Sequence, residues 1–311
     1  MSLVTLVGHA LSRWLREWSQ AWNDFWFMPR TNEILAIIRI AGGCMLVYIH
    51  VIWASQSNDF FGRHAWIDNT TIRSFHAEDY GWSYLWYVDS QLLLQLHHMA
   101  TILVSLMMAV GLLSRFTVPL AWALTLMYCH RLTGSLFGLD QIVMMLAMYT
   151  MLAPSGGRFS LDAIIERRIG RRWWLPTADP SVATNIAIRL IQVHLCVIYL
   201  FGGLSKLRGE MWWDGSALWF AAITYEYQSW DITWIGRYPL VVAILTHATV
   251  FWESFYCALV WPKLTRPIML VIAVFVHGGI AVALGMITFG TMMMVANLAF
   301  VEYGSSHRQA E

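Results

Sequence analysis

The chain has 311 residues, of which 58% are hydrophobic and only 13% charged, about half the charged share of an ordinary soluble domain. So many apolar side chains exceed what one water-soluble core can hide, and the composition predicts an all-α, polytopic bundle of transmembrane helices in contact with membrane lipids. A net charge of +1 provides no broad basic field, which argues against nucleic acid as a partner.

Residues 1–30 read as an amphipathic helix lying in the membrane interface. Val4, Val7, Leu11, Trp14, Leu15, Trp18, Trp22 and Phe25 recur at helical spacing, with Arg13, Arg16, Glu17 and Asp24 elsewhere around the turn. A signal peptide fits less well, since the segment lacks a continuous apolar core and a small-residue cleavage site. Residues 31–303 form the transmembrane domain. Crossing the hydrocarbon takes about 20 apolar residues, and on that scale the apolar stretches are 34–53, 92–113, 116–130, 136–152, 186–204, 240–260, 268–284 and 287–301. About eight helices are therefore expected. Pro119, Pro154, Pro180, Pro239 and Pro267 mark most of their boundaries.

Orientation follows from the short loops. Arg158, Arg167, Arg168, Arg171 and Arg172 crowd one loop, and Arg115, Lys263 and Arg266 occupy others of the same parity. These loops, both termini and the tail 304–311 are expected in the cytoplasm. The expected location is the cell membrane, or the endoplasmic reticulum membrane in a eukaryote. Segments 54–91 and 208–238, long and rich in Trp and Tyr, should form a partly ordered cap on the opposite face.

A charged side chain near mid-bilayer costs about 3 kcal/mol, so ionisable groups within the apolar stretches are functional candidates. Arg39 and Arg189, near the cytoplasmic ends, are expected to be structural, snorkelling or pairing with a carboxylate such as Glu253 or Asp140. His50 and His247 read as helix-to-helix hydrogen bonds. His97 and His98 are adjacent and point about 100° apart, a poor metal arrangement, and no metal is expected. The four cysteines lack CxxC spacing and read as small hydrophobes. Gly42-Gly43 and Gly278-Gly279 look like helix packing. Lys206 stands apart, because it ends an apolar run in YLFGGLSKLRGEMWW. Gln192, Gly202 and Gly203 share its helix face, within about 60°. A lysine held there away from water is driven toward the neutral amine, which can act as a base; the plainer reading is that it snorkels outward beside Arg208.

The order of short motifs is similar to that of the HTTM family, the membrane domain of vitamin K-dependent gamma-carboxylase and its microbial relatives. The matching pieces are Arg39 with Gly42, GLLSR ending at Arg115, SLFGLD ending at Asp140, FSLD ending at Asp162, GGLSKL around Lys206 followed by WWDGSA, and His277 followed by Gly285-Met286. They run from about Arg39 to Met286. The resemblance implies that Lys206 is the base that deprotonates a vitamin K hydroquinone-like reduced quinone, assisted by His277. Oxygen then yields a strongly basic epoxide alkoxide, which removes a γ-proton from a peptide glutamate that adds carbon dioxide. The candidate catalytic residues are thus Lys206 and His277, and the candidate substrate-binding residues are Gln192, Gly202, Gly203, Trp212, Trp213 and His97. Two departures bear on the substrate. Where the carboxylase has a functional histidine this chain has Thr133, with His130 or Arg131 nearby. The sequence also runs only to Glu311, whereas the carboxylase continues into a large lumenal portion that holds its protein substrate, which argues against glutamate carboxylation of a propeptide-bearing protein; a small exported peptide is the acceptor considered instead. The alternative is a non-catalytic maturation or accessory protein that binds an exported peptide or a membrane partner.

Overall fold

The computed structural model describes residues 3–62, 65–78 and 80–302; the side chains of Val4 and Val7 and the tail 304–311 lie outside the described residues. These residues form fourteen α-helices and no β-strand. They are α1 (Leu3–Phe27), α2 (Glu33–Ser55), α3 (Ser57–Phe61), α4 (Asn69–Phe75), α5 (Gln91–Val110), α6 (Ser114–Arg131), α7 (Gly138–Thr150), α8 (Leu161–Ile169), α9 (Val182–Lys206), α10 (Glu210–Trp213), α11 (Ala217–Ile223), α12 (Pro239–Leu259), α13 (Arg266–Ala283) and α14 (Ile287–Asn297). Among them α2, α5, α9, α12 and α13 are long and apolar enough to cross a membrane. The remaining apolar stretches became α6, α7 and α14, which are shorter or more polar.

Helix ends follow local chemistry. Ser90 and Ser181 accept the Leu93 and Thr184 amides and start α5 and α9. Asp140, three residues into α7, accepts the Phe137 amide, the carboxylate half of a capping box. Gly111 ends α5 in the left-handed region, at φ 67°, where glycine avoids the clash of a Cβ.

The centre of the bundle is one continuous core in which Leu35, Ile38, Leu46, Leu146, Ile191 and Leu195 from α2, α7 and α9 meet Trp252 and Tyr256 of α12 and Met293 of α14. Two glycines bring helices unusually close. A Cβ at Gly43 would lie 2.6 Å from the Ala109 backbone on α5, and one at Gly203 would lie 2.7 Å from the Ser254 backbone on α12. Gly278 and Gly279, expected to pack, have nothing within 4 Å of an added Cβ. Gly43→Ala should therefore cost about 2 kcal/mol, or roughly 6 °C in thermal midpoint, in detergent. Gly278→Ala and Gly279→Ala should leave the midpoint unchanged.

The pairing of Gly203 with Ser254 fixes the register of α9 against α12. The first part of α12 runs past the last turn of α9, and α12 packs on α10, α11 and the turn Thr233–Arg237. Segment 54–91 packs over α5 and α6 through α3 and the turn Tyr84–Tyr87. Both long aromatic segments thus cover the end of the bundle where α2, α6 and α9 finish. At the other end α1 is held by its last turn. The Phe25 carbonyl accepts from Asn185 Nδ2 and Arg189 Nε, and the Arg189 guanidinium lies 4.0 Å over the Phe25 ring.

Candidate functional site

Lys206 does not snorkel freely. Its Nζ donates to Glu253 Oε2 at 2.6 Å, with the two side chains 26% and 13% exposed, and sits 5.4 Å above the Trp212 ring. The absence of a side chain at Gly202 makes room for this pair, since a Cβ there would lie 3.3 Å from Glu253 Oε2 and 3.8 Å from Nζ. Trp212 belongs to a hollow of about 510 Å³ lined by Leu204, Leu207, Trp213, Val250, Phe251 and Phe255, with His247 and Ser254 as its polar members. Trp213 is fixed at its rim: Nε1 donates to the Leu207 carbonyl at 2.7 Å, and its own carbonyl is bonded to His247 Nε2 at 3.1 Å. The Ser254 hydroxyl is buried and has no hydrogen-bond partner among the described residues. A hydrogen-bonded ion pair thus stands against Trp212, which lines an apolar, aromatic hollow; Lys206 and Glu253 are not among the described residues that line it.

His277 lies one layer deeper. It is 4% exposed, and its Nε2 is hydrogen-bonded to the Tyr199 hydroxyl at 2.7 Å. Asn297 Nδ2 donates to Tyr199 at 2.8 Å and Tyr256 donates to Asn297 Oδ1 at 2.5 Å, giving a four-residue polar chain from α9, α12, α13 and α14. The Trp252 ring, next in sequence to Glu253, lies 6.1 Å from the His277 ring. Lys206 and His277 are thus neighbours through α12, and the contacts of Lys206 are with Glu253 and Trp212. His277 Nδ1 has no hydrogen-bond partner among the described residues.

The remaining candidates fall elsewhere. Gln192 Nε2 donates to the Ala299 carbonyl and its oxygen accepts from Arg189; it shares the Lys206 face, fourteen residues and about 21 Å along the helix. His97 belongs to a second polar group under the 54–91 segment, with Nε2 2.5 Å from the Tyr84 hydroxyl and Nδ1 2.8 Å from that of Tyr128. Burial raises the Tyr84 pKa. His50 bonds Thr125 from α2 to α6, as expected of a helix-to-helix contact, and His98 Nε2 bonds the His50 carbonyl. Thr133 is 2.7 Å from His76 Nε2, so an imidazole from the 54–91 segment occupies the space next to it.

The expected carboxylate partners of the two arginines are replaced by carbonyls. Arg39, fully buried, donates to the Met108, Ala109, Ser155 and Phe159 carbonyls at 2.6–3.2 Å. Nearby, Asp162 accepts the Leu113 and Ser114 amides and the Ser114 hydroxyl. The Arg39, GLLSR and FSLD motifs thus meet in one structural joint. Sequence reasoning missed Tyr199, Tyr256 and Asn297, and placed Glu253 among the structural groups. The available signals were Tyr199, two helical turns before Lys206 on the same face, and Asn297, a lone amide within an apolar stretch. Among the described residues no group of three His, Cys, Asp or Glu side chains is placed to hold a metal ion.

Comparison with known proteins gives little further guidance. No family model matches the chain, and no solved structure matches it. The Bacillus subtilis (strain 168) protein named "Uncharacterized protein YitO" is similar, 25% identical over 223 residues, covering 66% of this chain and 66% of that protein.

Proposed function

We propose that the chain is a multi-pass membrane enzyme of the HTTM type, in which Lys206 acts as a general base on a reduced quinone or similar lipid-soluble substrate. The observation that carries this is the 2.6 Å Lys206–Glu253 pair beside Trp212 at an apolar hollow of about 510 Å³. That volume suits a small-molecule site, and walls of Trp and Phe suit a bicyclic aromatic ring. The proton inventory balances. Moving a proton from Nζ to Oε2 leaves a neutral amine and a neutral acid, with the net charge of the pair unchanged. The amine can then accept the proton of a substrate hydroxyl. Reduced quinone and oxygen supply the oxidative chemistry. Carbon dioxide belongs to the carboxylation that the resemblance implies, with a small exported peptide as acceptor.

In this reading α6, α7 and α14 cross the membrane together with the five longer helices, and α1 lies along the cytoplasmic interface. The outward-facing apolar residues Leu92, Leu96, Met99 and Leu103 on α5 and Ile268, Val271 and Phe275 on α13 support a hydrocarbon surround. Both termini and the Arg-rich loops face the cytoplasm of a cell membrane, and the Lys206 hollow opens on the far side.

The test is turnover. Purified protein in detergent is given a reduced naphthoquinone and oxygen, and epoxide is followed by mass spectrometry. Epoxide above the level of heat-inactivated protein is expected, and none across a range of ring substituents would sink the reading. A second reading, a non-catalytic partner for an exported peptide or membrane protein, is favoured by exposed aromatics on the cap, including Trp66, Tyr80, Tyr225 and Trp230. It predicts that Trp66→Ala with Trp230→Ala weakens a co-purifying assembly that Lys206→Ala leaves intact.

A further inference from the structure

A second hollow, of about 490 Å³, lies at the opposite end of the bundle, between the start of α6, the end of α7 and residues 171–177. Three arginines line it: Arg115 from the first turn of α6, and Arg171 and Arg172 from the segment after α8. Among the described residues, no acidic side chain lines it. Arg171 pairs with Asp179 at 3.4 Å, with both side chains about 70% exposed; such a pair is weak and yields readily. Asp162, also near the start of α6, is already occupied by two amides and a hydroxyl.

The hollow is amphiphilic. Besides the arginines, its lining includes the apolar side chains of Val118, Leu152, Leu175 and Pro176. Arg115 donates to the Trp173 carbonyl, and the Trp173 ring meets Phe116 edge-on, with centroids 6.3 Å apart. Phe116 and Leu120 then continue along α6 as exposed apolar side chains. A cationic mouth thus leads onto an apolar helix face, which matches a phosphate joined to acyl chains. Guanidinium groups bind phosphate oxygens in pairs, and basic pockets beside transmembrane helices on the cytoplasmic side favour acidic headgroups.

We propose that this hollow binds the phosphate of an acidic phospholipid from the cytoplasmic leaflet, with Arg115, Arg171 and Arg172 around the phosphate and the acyl chains along Phe116 and Leu120. The inference rests on the membrane placement and is independent of the chemistry at Lys206. Its test is native mass spectrometry of the whole protein in an uncharged detergent, with phosphatidylglycerol, phosphatidylcholine or inorganic phosphate added. Phosphatidylglycerol should be retained about tenfold or more over phosphatidylcholine. Arg171→Gln with Arg172→Gln should abolish that preference, while Arg13→Gln with Arg16→Gln on α1 should keep it. Inorganic phosphate should displace the lipid poorly and leave the thermal midpoint unchanged. Equal retention of the two lipids, a preference indifferent to the Arg171 and Arg172 changes, or stabilisation by inorganic phosphate equal to that by phosphatidylglycerol would each overturn the assignment.

Discussion

Lys206→Ala should lower the turnover of reduced naphthoquinone by about 10²- to 10⁴-fold, the range that a positioned general base contributes, with the fall in kcat rather than in KM. The walls of the hollow are untouched by that change, so substrate should still bind. The change also leaves Glu253 without its cation in a site where its side chain is 13% exposed, and unpairing a buried charge costs about 3–5 kcal/mol. A loss of activity could then reflect a loss of fold. Lys206→Ala combined with Glu253→Ala separates the two effects: the double variant should recover most of the lost thermal stability and none of the activity. Glu253→Gln retains the lysine but removes the acceptor for its proton, and should lower kcat with little change in KM. Full turnover by the double variant would remove the pair from the mechanism.

Arg39→Ala should be the most destabilising single change outside that pair. The guanidinium satisfies carbonyls at the end of α5 and in the 155–159 segment, and at Gly111 it leaves so little room that a Cβ would lie 2.6 Å from Nη1. Hydrogen bonds to a charged group contribute about 1.5–3 kcal/mol each and do not add fully. A total of about 4 kcal/mol is expected, or roughly 10 °C in midpoint for a chain of this size. Arg39→Lys should recover only part of it, because an ammonium cannot span carbonyls that a planar fork reaches from several nitrogens. A thermal melt in detergent checks this, and an unchanged midpoint for Arg39→Ala would deny the joint its structural role.

These two sites differ in how far the sequence showed them. Apolar length is a local property, so residues 34–53, 92–113, 186–204, 240–260 and 268–284 could be marked before α2, α5, α9, α12 and α13 were seen. Lys206 was visible for the same reason, as a cation closing an apolar run. Its partner was not. Glu253 is 47 residues away, and only the close approach of Gly203 to Ser254 sets the register that brings the two together. The wheel argument placed Gln192 on the Lys206 face correctly, but a shared face says nothing about distance along the axis, and Gln192 is engaged near the other end of the helix. Arg39 shows a different limit. A buried arginine suggests a carboxylate, yet carbonyls at the end of α5 and in the 155–159 segment serve as well, and no residue type signals them. The Tyr199, Asn297 and Tyr256 chain around His277 joins four helices, and the spacing of Tyr199 from Lys206 points along α9 but not to its partners on the other three.

The central claim is that Lys206 takes a proton from a lipid-soluble quinol held in the hollow beside Trp212. The most direct measurement is the absorption spectrum of a reduced naphthoquinone bound to the protein without oxygen, read as the ionised fraction of the bound ring. At a pH well below the ring's own ionisation, the native chain should show the red-shifted ionised form. Lys206→Ala with Glu253→Ala should bind the same amount by equilibrium dialysis and show only the neutral form. Equal ionised fractions in both proteins would contradict the account, as would failure of the native chain to bind the quinol at all.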